Sequence, residues 1–202
     1  MKKYIKFFIN IIINYRFYSI TIIIYELYFI FKFGSLTNKL KYLNDNYLSD
    51  SIPANFYVIK KISTFTDKNN INYICDLGSG YGKILNYFGN HKKINIDGIE
   101  YEKKIYLESK KLENNKIKVF NNNFFEFDFA EKNYSLLILN DPLKKTTDLE
   151  KITKKLISLN KNFFYVFINL SKDKINIIKK YFIILELDIY SNSRNYFICK
   201  KK

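Results

Sequence analysis

The chain has 202 residues, 48% of them hydrophobic, enough to bury one core and too few for two. Its formal net charge of +15 comes almost wholly from lysine, the only arginines being Arg16 and Arg194; with Asn, Ile, Tyr and Phe abundant and Gly, Pro and Trp scarce, the excess reads mainly as compositional drift and only weakly as a nucleic-acid footprint. Two distant cysteines, Cys75 and Cys199, and one histidine, His91, give neither a disulfide framework nor a metal-ligand spacing, so no metal is expected and the compartment reads as reducing and cytoplasmic.

Residues 8–33, FINIIINYRFYSITIIIYELYFIFKF, are apolar and aromatic but interrupted by Asn10, Asn14, Arg16 and Glu26. The segment admits three readings. It is an interfacial membrane anchor, as the basic start Lys2, Lys3 and Lys6 favours, or a helix packed on the domain, or a single span, which the central Glu26 opposes. Residues 1–34 are thus read as an N-terminal helix that can touch a membrane surface, and residues 35–202 as the domain proper.

After Gly34 a polar stretch leads to a helix predicted over Ile52 to Ile62, with Pro53 near its first turn. From there strands and helices alternate. INYIC reads as a buried strand, KILNYF opens a helix, INIDGIE is a strand, EKKIYLESKKL a helix and KIKVFN a strand. YSLLILN is the next strand, 147–160 a helix with Leu149, Ile152 and Leu156 on one face, and NFFYVFINL a strand. A helix over 172–182 follows, with Ile175, Ile178, Tyr181 and Phe182 on one face. The end, IILELDIY, SNSR, NYFICK, reads as two strands joined by a short turn, the last antiparallel to its neighbour. The expected fold is α/β, a Rossmann-like doubly wound sheet of about seven strands, mostly parallel with a C-terminal antiparallel hairpin.

Three of the chain's six glycines fall in DLGSGYG, residues 76–82. A glycine turn between the first strand and its helix lets backbone approach a ligand and aims helix N–H groups at it. A triphosphate loop would need Ser or Thr after Lys83, where Ile84 stands. Asp76 just ahead of the glycines would repel a pyrophosphate and suits an ammonium group.

DLGSGYG followed by IDGIE resembles motifs I and II of the class I S-adenosylmethionine-dependent methyltransferases, over roughly residues 50–202. The resemblance implies S-adenosyl-L-methionine as cofactor. Asp76, Gly78, Ser79 and Gly80 would line its amino-acid part, and Glu100, with Tyr101 beside it, would meet the ribose, a carboxylate offering two acceptors to a diol. Asn123 in FNNNFFEF would replace the family's adenine-binding acid, with Phe124 packing on the ring, whereas Phe125 and Phe127 read as core.

The fourth strand's end, LILNDPL, resembles motif IV of amino-group methyltransferases. Asn140 and Asp141 would then be catalytic, orienting an amine toward the methyl, with Asp141 able to take a proton and Asn140 also reaching the cofactor. Leu143 stands where base-modifying relatives carry a stacking aromatic, so nucleic acid is disfavoured as substrate and a protein lysine or a small metabolite is preferred. The runner-up is a cofactor-binding partner subunit without transferase activity. The arrangement also resembles membrane-anchored protein-lysine methyltransferases, in which Tyr57 would belong to a segment closing over the cofactor. His91 reads as surface and Cys75 as core.

Overall fold

The computed structural model describes residues 9, 11–33, 52–159, 161–191 and 194–202. The basic start, Asn10, Gly34, the polar stretch 35–51, Asn160 and the tip of the last turn at 192–193 lie outside the described residues, and so do the side chains of Arg16 and Phe33.

Seven strands form one sheet: β1 Tyr73–Leu77, β2 Asn95–Glu100, β3 Ile117–Asn121, β4 Leu136–Asn140, β5 Phe164–Ile168, β6 Phe182–Ser191 and β7 Arg194–Lys201. Their order is β3-β2-β1-β4-β5-β7-β6. The pairs among β3, β2, β1, β4 and β5 are parallel, and β7 runs antiparallel to both β5 and β6. The expected doubly wound sheet and terminal hairpin are therefore present, the hairpin inserting its last strand between β5 and β6. Alternate side chains build a core on each face: Leu136 and Ile138 of β4 enter one, Leu137 and Leu139 the other. The strand order reverses on either side of β1, which puts the ligand crevice beyond the carboxyl ends of β1 and β4.

The first core is covered by the N-terminal segment, helical over 11–15, continuing through a 3₁₀ turn at Arg16–Tyr18 into α1, Ser19–Phe33, and by α2, Phe56–Lys68. Ile11, Tyr15, Ile22 and Phe29 enter the same cluster as Ile59, Ile74 and Ile198, so this helix shares the core of the domain. Of its three readings, the packed helix is the arrangement observed. Among the described residues no helix is long and apolar enough to cross a membrane.

The helix expected over Ile52 to Ile62 begins later and runs further, and Pro53 lies outside it. Asn55 is the cause, its side-chain oxygen accepting from the Val58 N–H at 2.8 Å and fixing the N-terminus there. After the glycines, α3 spans only Lys83–Leu85 before the chain widens into a π-helical stretch, Asn86–His91. The remaining helices are α4 Lys103–Ser109, α5 Thr146–Ser158 and α6 Lys172–Tyr181, Phe182 already belonging to β6. Cys75 and Cys199 are buried free thiols, and His91 is exposed as expected.

Candidate functional site

At the end of β1 the chain turns with φ of 77° at Gly78, 56° at Gly80 and 80° at Gly82, values that an L side chain resists. A Cβ at Gly78 would lie 2.7 Å from Cβ of Pro142, so the turn runs directly against the end of β4. It is stitched to β2. The N–H groups of Gly78 and Ser79 donate to the Ile99 carbonyl at 2.9 and 3.1 Å, and that of Gly80 donates to Glu100 Oε2 at 2.9 Å. Glu100 Oε1 accepts from the Glu102 N–H at 2.9 Å. Burial raises the Glu100 carboxyl above the ordinary carboxylate range, against the lowering effect of these backbone donors.

Asp76 sits under the turn, wholly buried, and burial together with the Glu100 carboxylate pushes its carboxyl up to about 8. Among the described residues, its Oδ1 and the Ser79 hydroxyl find no hydrogen-bond partner. Unpartnered buried acceptors are costly, and such atoms at a ligand crevice mark where a donor belongs. The structure thus brings Asp76, Gly78, Ser79, Gly80 and Glu100 together, with the exposed ring of Tyr101 beside them. Asn121, which the sequence did not single out, fixes this corner by donating from Nδ2 to the carbonyls of Glu100 and Tyr101 at 2.9 and 3.0 Å. No motif marks it, because an Asn closing a strand is ordinary turn chemistry.

Asn123 is half-buried and its side-chain oxygen accepts from the Phe125 N–H at 3.0 Å, holding the turn after β3. Phe124 is buried in the second core, its ring 5.0 Å from that of Phe125. Phe127 is core as expected, and Phe125 packs against that core half-buried.

At the end of β4, Asn140 Nδ2 donates to the Ile52 carbonyl at 2.7 Å while Asn140 Oδ1 accepts from Asn169 Nδ2 at 2.8 Å. Asp141 takes the left-handed conformation, φ 38°, and its carboxylate accepts from Lys174 Nζ of α6 at 2.5 Å. Lys174 is buried and also donates to the Leu143 carbonyl. Burial raises the Asp141 carboxyl and the Lys174 ammonium opposes that rise. The Asp141 carboxylate is thereby tied to α6 through one of its two oxygens. Leu143 is buried in the second core.

Asn169, also left-handed at φ 62°, links Asn140 to a cavity lined by Tyr15, Glu26, Pro53, Lys83, Asn169 and Arg194 among others. Two groups in its wall were invisible to motif reasoning. Glu26 of α1 accepts from Lys83 Nζ at 3.0 and 3.1 Å and from the Phe56 N–H at 2.6 Å, and Lys83 lies 3.9 Å from the Phe56 ring centroid. Tyr57 packs on Tyr25 and Tyr190. Among the described residues no group of three or more His, Cys, Asp or Glu is placed to hold a metal ion.

No protein-family model matches the sequence, and no curated protein matches it. Solved structures do. Magnesium protoporphyrin IX methyltransferase from Synechocystis PCC 6803, with bound SAM, superposes with a TM-score of 0.60 at 14% identity, covering 72% of this chain and 79% of that one. An RNA methyltransferase from Salinibacter ruber, in complex with S-adenosyl-L-homocysteine, gives 0.59 at 14% identity over 74% and 94%. The N-methyltransferase NodS from Bradyrhizobium japonicum WM9 gives 0.58 at 9% over 72% and 94%. The fold is that of the class I Rossmann-like methyltransferases.

Proposed function

We propose that this chain is an S-adenosyl-L-methionine-dependent methyltransferase that acts on a nitrogen of a protein lysine or of a small metabolite. The observation that carries the reading is the unpartnered, buried carboxylate oxygen of Asp76 beneath a glycine turn, with a second acid, Glu100, closing the next strand. Together they match a ligand that presents an ammonium group and a vicinal diol. Structural neighbours described with SAM or S-adenosyl-L-homocysteine support the same cofactor.

When bound, that cofactor supplies an electrophilic sulfonium methyl, so the protein's contribution is placement. Asp76 would hold the ammonium group and Ser79 Oγ would bond at the same end. Each Glu100 oxygen keeps a lone pair beyond its backbone bond, which suits the two ribose hydroxyls. Tyr101 would cover the ribose. Asn123 would turn its amide nitrogen, the side-chain group its own turn does not use, toward an adenine ring nitrogen beside Phe124. Asn140 Oδ1, oriented by Asn169 and with one lone pair in hand, would accept from the target amine, and the adjoining cavity would receive the acceptor. Asp141, held by Lys174, would shape the loop through its backbone. Buried Leu143 offers no ring for a flipped base, which favours the protein or small-molecule acceptor.

One observation favours the runner-up, a cofactor-binding subunit without transfer: both ends of the Asn140 amide and the Asp141 carboxylate already have partners. Calorimetry with S-adenosyl-L-methionine and S-adenosyl-L-homocysteine, followed by radiolabelled methyl transfer to protein and small-molecule fractions, separates the readings. Binding with transfer is expected. Binding without transfer to any fraction assigns the partner subunit, and absence of binding overturns both.

A further inference from the structure

The N-terminal helix is apolar on two opposite faces. Its inner stripe, Ile11, Tyr15, Ile22 and Phe29, is buried against the domain, and Glu26 on that side is sealed against Lys83. On the outer side of α1, Ile20, Ile24, Leu27 and Phe31 are exposed and recur at spacings of four, three and four. This is the a and d pattern by which one helix meets another, whereas a helix facing water turns polar residues outward. Phe17, in the 3₁₀ turn just ahead, and Tyr28 widen the stripe; Phe17 is 97% exposed and Phe31 88%. From Phe17 to Phe31 it runs about 21 Å at the helical rise.

Area and symmetry select the occupant. At roughly 150–250 Å² for an aromatic side chain and somewhat less for an aliphatic one, the exposed parts of these six residues come to about 750 Å². The largest apolar patch on a monomer is typically about 300–600 Å², and a standard interface takes about 800 Å² from each partner. The stripe is thus larger than a monomer usually leaves open and matches one side of a dimer. The spacing four, three, four also reads the same in both directions. A two-fold axis passing between Ile24 and Leu27 therefore sets every side chain of the stripe against one from a second copy. None of the six is ionic, so pairing buries no charge from the stripe itself. The net charge of +15 on each copy is spread over the chain and screened beyond about 8 Å at physiological salt.

We propose that this face is the interface of a homodimer in which the two N-terminal helices pack antiparallel, Ile20 against the partner's Phe31 and Ile24 against the partner's Leu27. Phe17 of each copy extends the contact at its two ends. The inner side of the same segment supplies Ile11, Tyr15 and Glu26 to the cavity that Asn169 also lines. Pairing therefore braces one wall of that cavity from behind.

The test is sedimentation of the full chain over a concentration series reaching about 100 μM. A dimer is expected, and it should tighten as salt rises, since the apolar contact is kept while repulsion between like-charged copies is screened. Ile24→Glu with Phe31→Ser, at side chains that face water in the single copy, should weaken dimerisation by at least about a hundredfold with the circular-dichroism spectrum unchanged. Mixing Ile20→Cys with Phe31→Cys under oxidising conditions should give a cross-linked pair. Either variant alone should give far less, because the axis sets like positions about 16 Å apart along the helices. A chain that stays monomeric overturns the proposal, and flotation of that monomer with vesicles of phosphatidylcholine and phosphatidylglycerol would assign the face to lipid. A dimer that Ile24→Glu with Phe31→Ser leaves intact overturns it as well, as does efficient cross-linking of Ile20→Cys to itself. Dimerisation requires no cofactor, so calorimetric binding of S-adenosyl-L-homocysteine reports on the methyltransferase reading separately.

Discussion

Glu26 and Lys83 are 57 residues apart in the chain and form an ion pair at 3.0 Å with neither side chain exposed to water. The pair joins the N-terminal helix to the start of α3, and through the Phe56 N–H the same carboxylate also anchors α2. Three elements around the glycine turn therefore meet on one acid. Removing one partner of a buried pair leaves the other charge stranded, at a cost of about 3–5 kcal/mol, whereas removing both is far milder. Lys83→Met and Glu26→Gln should each cost about 3 kcal/mol in denaturant unfolding, and the double variant well under their sum. Strictly additive losses would show that the two side chains act independently.

The Asp76 carboxyl links stability and binding to pH in opposite senses. Its folded value of about 8 stands above the ordinary 3.8, so between these the folded protein holds a proton that the unfolded chain releases. The stability this contributes is full below the unfolded value and is lost as pH rises toward 8, by up to about 1.4 kcal/mol per pH unit. A ligand ammonium favours the ionised form, so affinity for S-adenosyl-L-homocysteine should rise across the same window. Asp76→Asn should flatten both slopes, stabilise the protein at pH near 8 and weaken ligand binding by at least about tenfold. Melting curves from about pH 5 to about pH 8, with and without the ligand, read both effects. A variant that keeps the wild-type pH slope would remove Asp76 as their source.

Much of the fold was legible because its signals are local. Alternation in YICDL and LLILN, the breaks between helices and strands, and the closing pair of strands are written in periods of two and of three to four. The start of α2 was misplaced because its determinants combine a local cap, Asn55, with Glu26 at a distance of 30 residues. At the site, the glycine turn and Glu100 could be read since they are consecutive at strand ends. Asn121, Asn169 and Lys174 could not, for each acts through a partner that only the folded chain brings near. The apolar N-terminal segment was ambiguous for a physical reason. Inner and outer stripes are equally apolar, so no amphipathic period says which side meets the domain.

Gly78 provides a sharper probe of the turn than its neighbours. An alanine there meets two penalties at once, a φ of 77° and a Cβ placed 2.7 Å from Cβ of Pro142. Pro142 is ring-closed and cannot rotate away, so the turn and the end of β4 must separate. Gly78→Ala should cost about 2–4 kcal/mol in thermal or denaturant unfolding and reduce affinity for S-adenosyl-L-homocysteine by more than that stability loss explains. Ligand affinity equal to wild type in the folded variant would mean that the turn does not touch the ligand.

Asn140 and Asp141 are adjacent, yet the structure gives them different partners, and substitution should separate their roles. The Asn140 amide bridges Ile52 and Asn169 beside the cavity, while the Asp141 carboxylate is bound to Lys174 on α6. In Asn140→Ala, affinity for S-adenosyl-L-homocysteine should stay within about threefold while kcat falls by about a hundredfold, because the acceptor loses its orienting group and the cofactor turn is intact. Asp141→Asn weakens an ion pair whose acid is one-quarter exposed and whose lysine is buried, so the loss should appear as about 1–2 kcal/mol of stability, with kcat within about threefold. Asn169→Ala should fall between them, retaining the Asn140 acceptor but freeing its rotation, and raising KM for the methyl acceptor more than it lowers kcat. Should Asp141→Asn abolish transfer while Asn140→Ala leaves it unchanged, the proton-accepting role would pass to Asp141, and Lys174 would have to release its carboxylate during turnover.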